Sequence, residues 1–221
     1  MGISERRERE KNERRRTILN CARELILLQG VDRVSMDDIA QKAELSKATL
    51  YLYFSGKEII FNEICEEAAR IFLEKFKPIL ETGITGVKAM KSFWNGYVSQ
   101  FGKSEEIIIL YRVRNYISPG QPFVSLQEQS SPNVDAILTA MKTIIDQCKA
   151  EGVFDPHLDS DMATRLLLSM FTNSVDNAAR IPVEARKSPA IIDELIQTFQ
   201  IIIYGFAKDG IDRSCLDITK P

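Results

Sequence analysis

The stretch Ser35-Met-Asp-Asp-Ile-Ala-Gln-Lys-Ala-Glu-Leu-Ser-Lys-Ala-Thr-Leu-Tyr-Leu-Tyr-Phe54, followed by Ser55-Gly-Lys-Glu-Ile-Ile-Phe61, decides the reading of this chain. Ser35 precedes Met36, Asp37 and Asp38, a hydroxyl cap with an acidic first turn, so a short helix is predicted from Met36 to Ala43. Glu44, Leu45 and Ser46 break it. Ser46 caps again, and Lys47 to Phe54 make a second helix of about two turns. Ile39, Ala40 and Ala43 face inward from the first helix, Leu45 plugs the turn, and Leu50 and Phe54 anchor the second. Lys47, Ala48, Thr49, Tyr51 and Tyr53 are left projecting outward. Two short helices joined by a three-residue turn meet the requirements of a DNA-binding helix-turn-helix. The outward side chains suit a major groove: lysine for phosphate or guanine, threonine for a hydrogen bond and a thymine methyl, tyrosine for phosphate or base faces. Ser35, Ser46 and Lys57 stand at helix starts, where hydroxyls, backbone N–H groups and positive charge converge on phosphates.

Outward from this core, the charge is uneven. Residues 1–57 hold 12 Lys or Arg against 9 Asp or Glu, a net of +3, whereas residues 58–221 hold 17 against 22, a net of −5. A basic bias confined to one small segment points to a polyanion there and to another task in the remainder. Near the N-terminus Arg6, Arg7, Arg9, Lys11, Arg14, Arg15 and Arg16 outnumber Glu5, Glu8, Glu10 and Glu13. Two readings stand side by side: a solvated helix start held by i,i+4 ion pairs, or a DNA-contacting arm.

The rest also reads as helix. Apolar positions recur at helical spacing from Arg16 to a terminating Gly30, from Lys57 to a break at Pro78, and along Val87–Phe101 and Ile107–Ile117. Ser131 and Pro132, then Asp159 or Ser160, then Ser188 and Pro189 open three more, the last running to Gly210. No alternating β-branched run is present, so the expectation is an all-α fold of about nine helices, with residues 1–56 as a helix-turn-helix head and residues 57–221 as a second helical domain. The 221 residues, 44% hydrophobic and 27% charged, suffice for a core without metal or disulfide. No apolar run approaches the roughly 20 residues that span a bilayer, and the charged N-terminus is unlike a signal peptide, so a cytoplasmic protein without a membrane partner is expected. Cys21, Cys65, Cys148 and Cys215 are too far apart in sequence for a zinc pair or a redox C-x-x-C. The nucleophile-elbow, zinc-protease, P-loop and dinucleotide motifs are absent and there is one histidine, His157, so no catalytic residue, metal ligand or cofactor is assigned. The competing function class is a helical protein-binding adaptor with a structural N-terminal hairpin.

The 35–61 string closely resembles the signature of TetR-family transcriptional regulators, over about residues 12–64. Glu44 and Ala48 depart from the commonest pattern, which has glycine at both positions. The resemblance implies that Ser35, Ser46, Tyr53 and Lys57 hold the DNA backbone while Lys47, Ala48, Thr49 and Tyr51 approach base edges. So few base-reading side chains per subunit call for a homodimer on adjacent half-sites of a palindromic operator. The residues expected at the dimer surface are Leu167, Phe171 and Val175 on one long helix with Leu195, Phe199, Ile202 and Phe206 on the last, both apolar beyond one face. The resemblance also implies a pocket for a small, largely apolar effector, with Phe93, Trp94, Tyr97, Phe101, Tyr111, Arg112, Asn115, Tyr116 and Phe171 as candidate lining. A ligand there would shift the helix that starts at Lys57 and so reset the spacing of the two recognition helices, releasing a repressor.

Overall fold

The computed structural model describes residues 2–81, 84–101, 104–117, 132–179 and 188–218. Over these residues the chain is all-α, with nine α-helices: α1 Ile3–Gln29, α2 Met36–Lys42, α3 Lys47–Tyr53, α4 Lys57–Glu81, α5 Gly86–Phe101, α6 Glu105–Ile117, α7 Pro132–Ala150, α8 Ser160–Ala179 and α9 Pro189–Phe206. Two short 3-10 turns, Val31–Arg33 and Arg213–Leu216, were not expected. No β-strand occurs among the described residues; the nearest approach is an isolated antiparallel bridge between Phe154 and Ala207.

Three boundaries differ from the sequence reading. The first helix begins at Ile3 rather than near Arg16. Its charged start is held by Arg6–Glu10 at 2.8 Å and Arg9–Glu13 at 3.8 Å, and the Glu5 carboxylate accepts the Gly2 N–H at 2.8 Å. These replace tertiary packing as the reason for helicity. Secondly, α4 runs through Pro78 to Glu81. Proline there forfeits its bond to Glu74 O and its ring crowds that carbonyl, yet only three residues follow it in the helix, so it weakens the last turn without acting as a stop. Thirdly, α9 stops at Phe206, not Gly210. There the chain turns extended, and Asp155 N–H to Phe206 O (3.0 Å) with Lys208 N–H to Val153 O (2.9 Å) replaces the helical ladder.

The turn between α2 and α3 is made in a way that the sequence only half announced. Leu45 N–H donates to Ala40 O (2.9 Å) and Glu44 N–H to Gln41 O (3.1 Å), the paired bonds of a Schellman end. Glu44 adopts φ 54°, the only positive φ of a non-glycine among the described residues. A left-handed residue with a Cβ is strained by about 1–2 kcal/mol, and here it sits where the helix-turn-helix must bend.

A continuous core joins head and body. Ile18, Ala22 and Ile26 of α1 meet Ile39 of α2, Leu50 of α3 and Phe54 at the end of α3, all buried. Helix α4 carries this core onward through Ile60, Ile64, Ala68 and Phe72, and packs most extensively against α6 and α7. Helices α1 and α6 also touch directly, so the head is fastened to the body by two helices rather than one.

Candidate nucleic-acid interface

The two short helices start on side-chain caps. Ser35 Oγ accepts the Asp38 N–H at 3.2 Å, and Asp38 Oδ2 takes the Ser35 hydroxyl at 2.6 Å and its N–H at 2.9 Å. The Ser35 hydroxyl and backbone N–H hold the Asp38 carboxyl below its ordinary value. Ser46 Oγ accepts the Thr49 N–H at 3.1 Å and lies 2.7 Å from the Thr49 hydroxyl. Each such cap is worth about 1 kcal/mol, a large fraction of the stability of a seven-residue helix.

The expected base-reading side chains fall on the open side of α3. Lys47, Ala48 and Tyr51 are exposed, Thr49 is half-buried, and Leu52 is 83% exposed beside them. Lys47 does not stand alone: its Nζ is 2.7 Å from Asp37 Oδ1 on α2, and that hydrogen bond raises the lysine's pKa.

Of the four backbone-anchoring candidates, Ser35 and Ser46 are exposed, Tyr53 is half-buried, and Lys57 is drawn inward. Lys57 Nζ donates to Val34 O at 3.4 Å and lies 5.1 Å from the Tyr116 ring centroid and 5.9 Å from that of Phe61. Its ammonium is thereby held at the junction of head and body.

Arg15, counted in the sequence only as one of the basic N-terminal residues, is the clasp of this site. Its guanidinium pairs with the Glu63 carboxylate through Nη2, donates to Tyr53 O at 3.0 Å, and sits 4.1 Å over the Phe54 ring. Partners 38 and 48 residues away leave no local signal in the sequence. Arg23, about two turns further along α1, repeats the ion pair with Glu67, one turn on along α4, at 2.7 Å.

The candidate ligand residues separate into two groups. Trp94, Tyr97 and Tyr111 form one aromatic cluster: Trp94 stacks on Phe199 at 3.7 Å, Tyr97 lies 5.3 Å from Trp94, and Tyr111 meets Tyr97 edge-on at 6.4 Å. Burial pushes the phenols of Tyr97 and Tyr111 upward, that of Tyr97 with Tyr111 adding to it. Phe93 turns to the neighbouring rings of Phe72 and Phe76. Arg112, Asn115 and Tyr116 lie elsewhere on α6. Arg112 Nη1 donates to Ile26 O (3.1 Å), which also accepts the Gly30 N–H, and to Leu27 O (3.4 Å), both carbonyls in the last turn of α1. Tyr116 packs edge-on against Phe61 at 5.5 Å, and Asn115 is half-buried. The side chains of Phe101, Phe171 and Val175 lie outside the described residues.

The dimer candidates are placed differently from the expectation. Leu167, Leu195, Phe199, Ile202 and Phe206 are all buried within the single chain, Phe199 against Trp94 and Phe206 against Phe154 at 5.8 Å. These side chains close the chain's own core. The apolar residues that α8 and α9 turn to solvent are their neighbours Met162, Leu166 and Ile201, the last 71% exposed. Both helices therefore carry apolar side chains on more than one side, some buried in the chain's own core and some open to solvent.

Residues 18–64 match the family described as bacterial regulatory proteins, tetR family. An uncharacterized HTH-type transcriptional regulator of Bacillus subtilis, YvdT, is 38% identical over 60 residues, 27% of this chain and 31% of that protein. The Bacillus subtilis fatty acid metabolism regulator protein is 21% identical over 159 residues, 72% of this chain and 78% of that relative. Among solved structures, the fatty acid degradation regulator FadR from Bacillus halodurans superposes with a TM-score of 0.64 at 18% identity, covering 87% of this chain and 95% of that one. The Stenotrophomonas maltophilia efflux-pump repressor SmeT gives 0.61 at 16%, covering 94% and 97%. The body thus shares an architecture with these proteins, while the helix-turn-helix segment, residues 18–64, matches the tetR family of bacterial regulatory proteins.

Proposed function

We propose that the protein is a ligand-responsive transcriptional regulator: a homodimer that represses by binding a palindromic operator in the cytoplasm and is released by a small, largely apolar effector. The observation that carries the reading is the open face of α3, where Lys47, Ala48, Thr49 and Tyr51 lie on a helix whose start is fixed by Ser46 and whose end is clasped by Arg15. Residues 1–56 then read DNA, and residues 57–221 bind the effector and the second subunit.

The aromatic cluster of Trp94, Tyr97 and Tyr111 supports an apolar effector, as do the names of the fatty acid regulators. Effector between α5, α6 and α8 would displace α6, and α6 meets both helices that carry the head, α4 through packing and α1 through Arg112. A coupling free energy of about 1–3 kcal/mol, 5- to 150-fold in operator affinity, suffices for a switch. The dimer surface is the solvent side of α8 and α9, around Met162, Leu166 and Ile201.

The test is selection of duplexes from a random pool by the full-length protein, followed by anisotropy titration across a range of salt. Recovery of two-fold-symmetric sequences, bound at least about fivefold more weakly by Tyr51→Ala, is the expected result, since one good base contact is worth about 1–3 kcal/mol. Failure to enrich any duplex at low salt would favour the protein-binding adaptor instead. Mass spectrometry of a solvent extract of the purified protein would identify a retained effector.

A further inference from the structure

The N-terminal half of α1 carries more charge than a helix start requires, and the charge is sorted. With 3.6 residues per turn, Arg7, Lys11 and Arg14 fall within about 40° of Ile18 around the helix axis. They therefore continue, in the N-terminal direction, the side of α1 that buries Ile18 and Ala22 in the head. Glu5, Glu8, Glu10 and Glu13 all lie about 80° or more from that line. The two ion pairs of this segment, Arg6–Glu10 and Arg9–Glu13, belong to the flank and back. Among the described residues Arg7, Lys11 and Arg14 have no acidic partner, and all three are exposed.

The position of this cationic face is fixed by the next residue of the row. Arg15 binds Tyr53 O, the last residue of α3, and stacks over Phe54. The strip thus starts where α3 ends and projects past the head for about 12 Å, the rise of the eight residues from Arg7 to Arg15. From Arg7 to Arg14 it spans about 10 Å, close to three nucleotides of rise along one DNA strand at about 3.4 Å each.

We propose that the face of Arg7, Lys11 and Arg14 binds the phosphates of duplex DNA flanking the sequence read by α3, making α1 a rigid arm that lengthens the footprint of each subunit. The proposal rests on the reading of the head as a DNA-binding element. Charge complementarity selects the occupant: the chain is net −2 overall, while this strip is wholly cationic and leads away from Arg15, which is bound to the end of α3. A helix held by its own ion pairs presents these charges already ordered, so little entropy is lost on contact.

The test uses the full-length protein and a duplex recovered by selection, in one form with about ten flanking base pairs on each side, one turn of the helix, and in one form trimmed to the selected core. Arg7→Gln/Lys11→Gln/Arg14→Gln is compared with Arg6→Gln/Arg9→Gln on the opposite face, and circular dichroism checks that helix content is unchanged. On the flanked duplex the triple variant is expected to lose tenfold or more in affinity, and its log–log salt slope to flatten by about 2.7 per subunit, 0.9 for each phosphate contact removed. The back-face pair is expected to stay within about one unit of wild type in slope. Wild type should prefer the flanked form, and the triple variant should not. Equal slopes for wild type and triple variant, or equal wild-type affinity for the two duplexes, overturns the arm while leaving the reading of α3 intact. Failure of the wild type to select any duplex overturns both.

Discussion

Asp37 on α2 holds the Nζ of Lys47 at 2.7 Å across the mouth of the helix-turn-helix. The carboxylate is thus placed on the face offered to DNA, where it repels phosphates and occupies the one cation at the start of α3. Asp37→Asn is expected to tighten DNA binding and steepen the salt slope by about one unit, as Lys47 is freed for a phosphate. Unfolding should barely change, because exposed ion pairs contribute little. Anisotropy across a salt series decides this: weaker binding by Asp37→Asn would mean that the carboxylate positions Lys47 rather than restraining it.

The Arg112 guanidinium reaches 86 residues back along the chain to Ile26 O, and so joins α6 to the end of α1. Hydrogen bonds from a charged donor contribute about 1.5–3 kcal/mol when well shielded. Arg112 is half-buried, so Arg112→Met should cost about 1–2 kcal/mol, a fall in Tm of roughly 2–8 °C for a chain of this size. The same variant should bind DNA nearly as tightly as wild type but respond less to effector, since one of the two links from α6 to the head is gone. Unchanged effector response at lowered stability would leave Arg112 a structural brace alone.

Glu44 shows how far the sequence could be read. Its place in the signature located the turn, and the lack of glycine posed the question of whether the chain bends without a positive φ. The answer, φ 54°, comes from the bonds of Leu45 and Glu44 to α2, which fix the Schellman geometry whatever residue stands there. Helix periodicity and capping found all nine helices because those signals are local. Arg15, Arg112 and the inward turn of Lys57 were illegible because their partners lie 23 to 86 residues away. The burial of Phe199 was equally illegible, because the sequence does not say which apolar face of α9 meets Trp94. Glu44→Gly should relieve the left-handed strain of about 1–2 kcal/mol while giving back about 0.4–1 kcal/mol through a more flexible unfolded chain, a net gain near 0.5–1 kcal/mol. Chemical denaturation measures it; a loss of stability would show that the Glu44 side chain holds the turn.

Thiol chemistry offers an independent check of the packing. Burial pushes the Cys65 and Cys148 thiols up to about 12, against the nearby Arg114 for Cys65 and with Glu151 adding to the rise for Cys148. At pH 8 only about one in ten thousand of either is thiolate, the reactive form. Cys21 is half-buried and its thiol is also raised, chiefly by burial and then by Glu24, whereas Cys215 is exposed. A disulfide-exchange reagent should therefore titrate one thiol per native chain quickly, Cys21 slowly, and the remaining two only on unfolding. Two fast equivalents, or loss of the fast one in Cys65→Ser rather than Cys215→Ser, would contradict the structure.

Two glycines inside helices should respond to alanine with opposite sign. A Cβ built on Gly86, the first residue of α5, would lie 2.5 Å from the Cys148 backbone nitrogen and 2.8 Å from the Gln147 carbonyl carbon of α7. Backbone cannot step aside as a side chain can, so α5 would have to lift away, weakening the bonds that the Gly86 and Val87 N–H groups make to the Glu151 carboxylate. Overpacking of this kind costs about 1–3 kcal/mol, more than the roughly 1 kcal/mol that alanine gains over glycine in a helix. Gly205 in α9 has nothing within 4 Å of the same atom, so there the propensity gain stands alone. Gly86→Ala is expected to lower the unfolding free energy measured by denaturation and Gly205→Ala to raise it by up to about 1 kcal/mol. A stabilised Gly86→Ala would mean that α5 and α7 do not approach as closely as the structure places them.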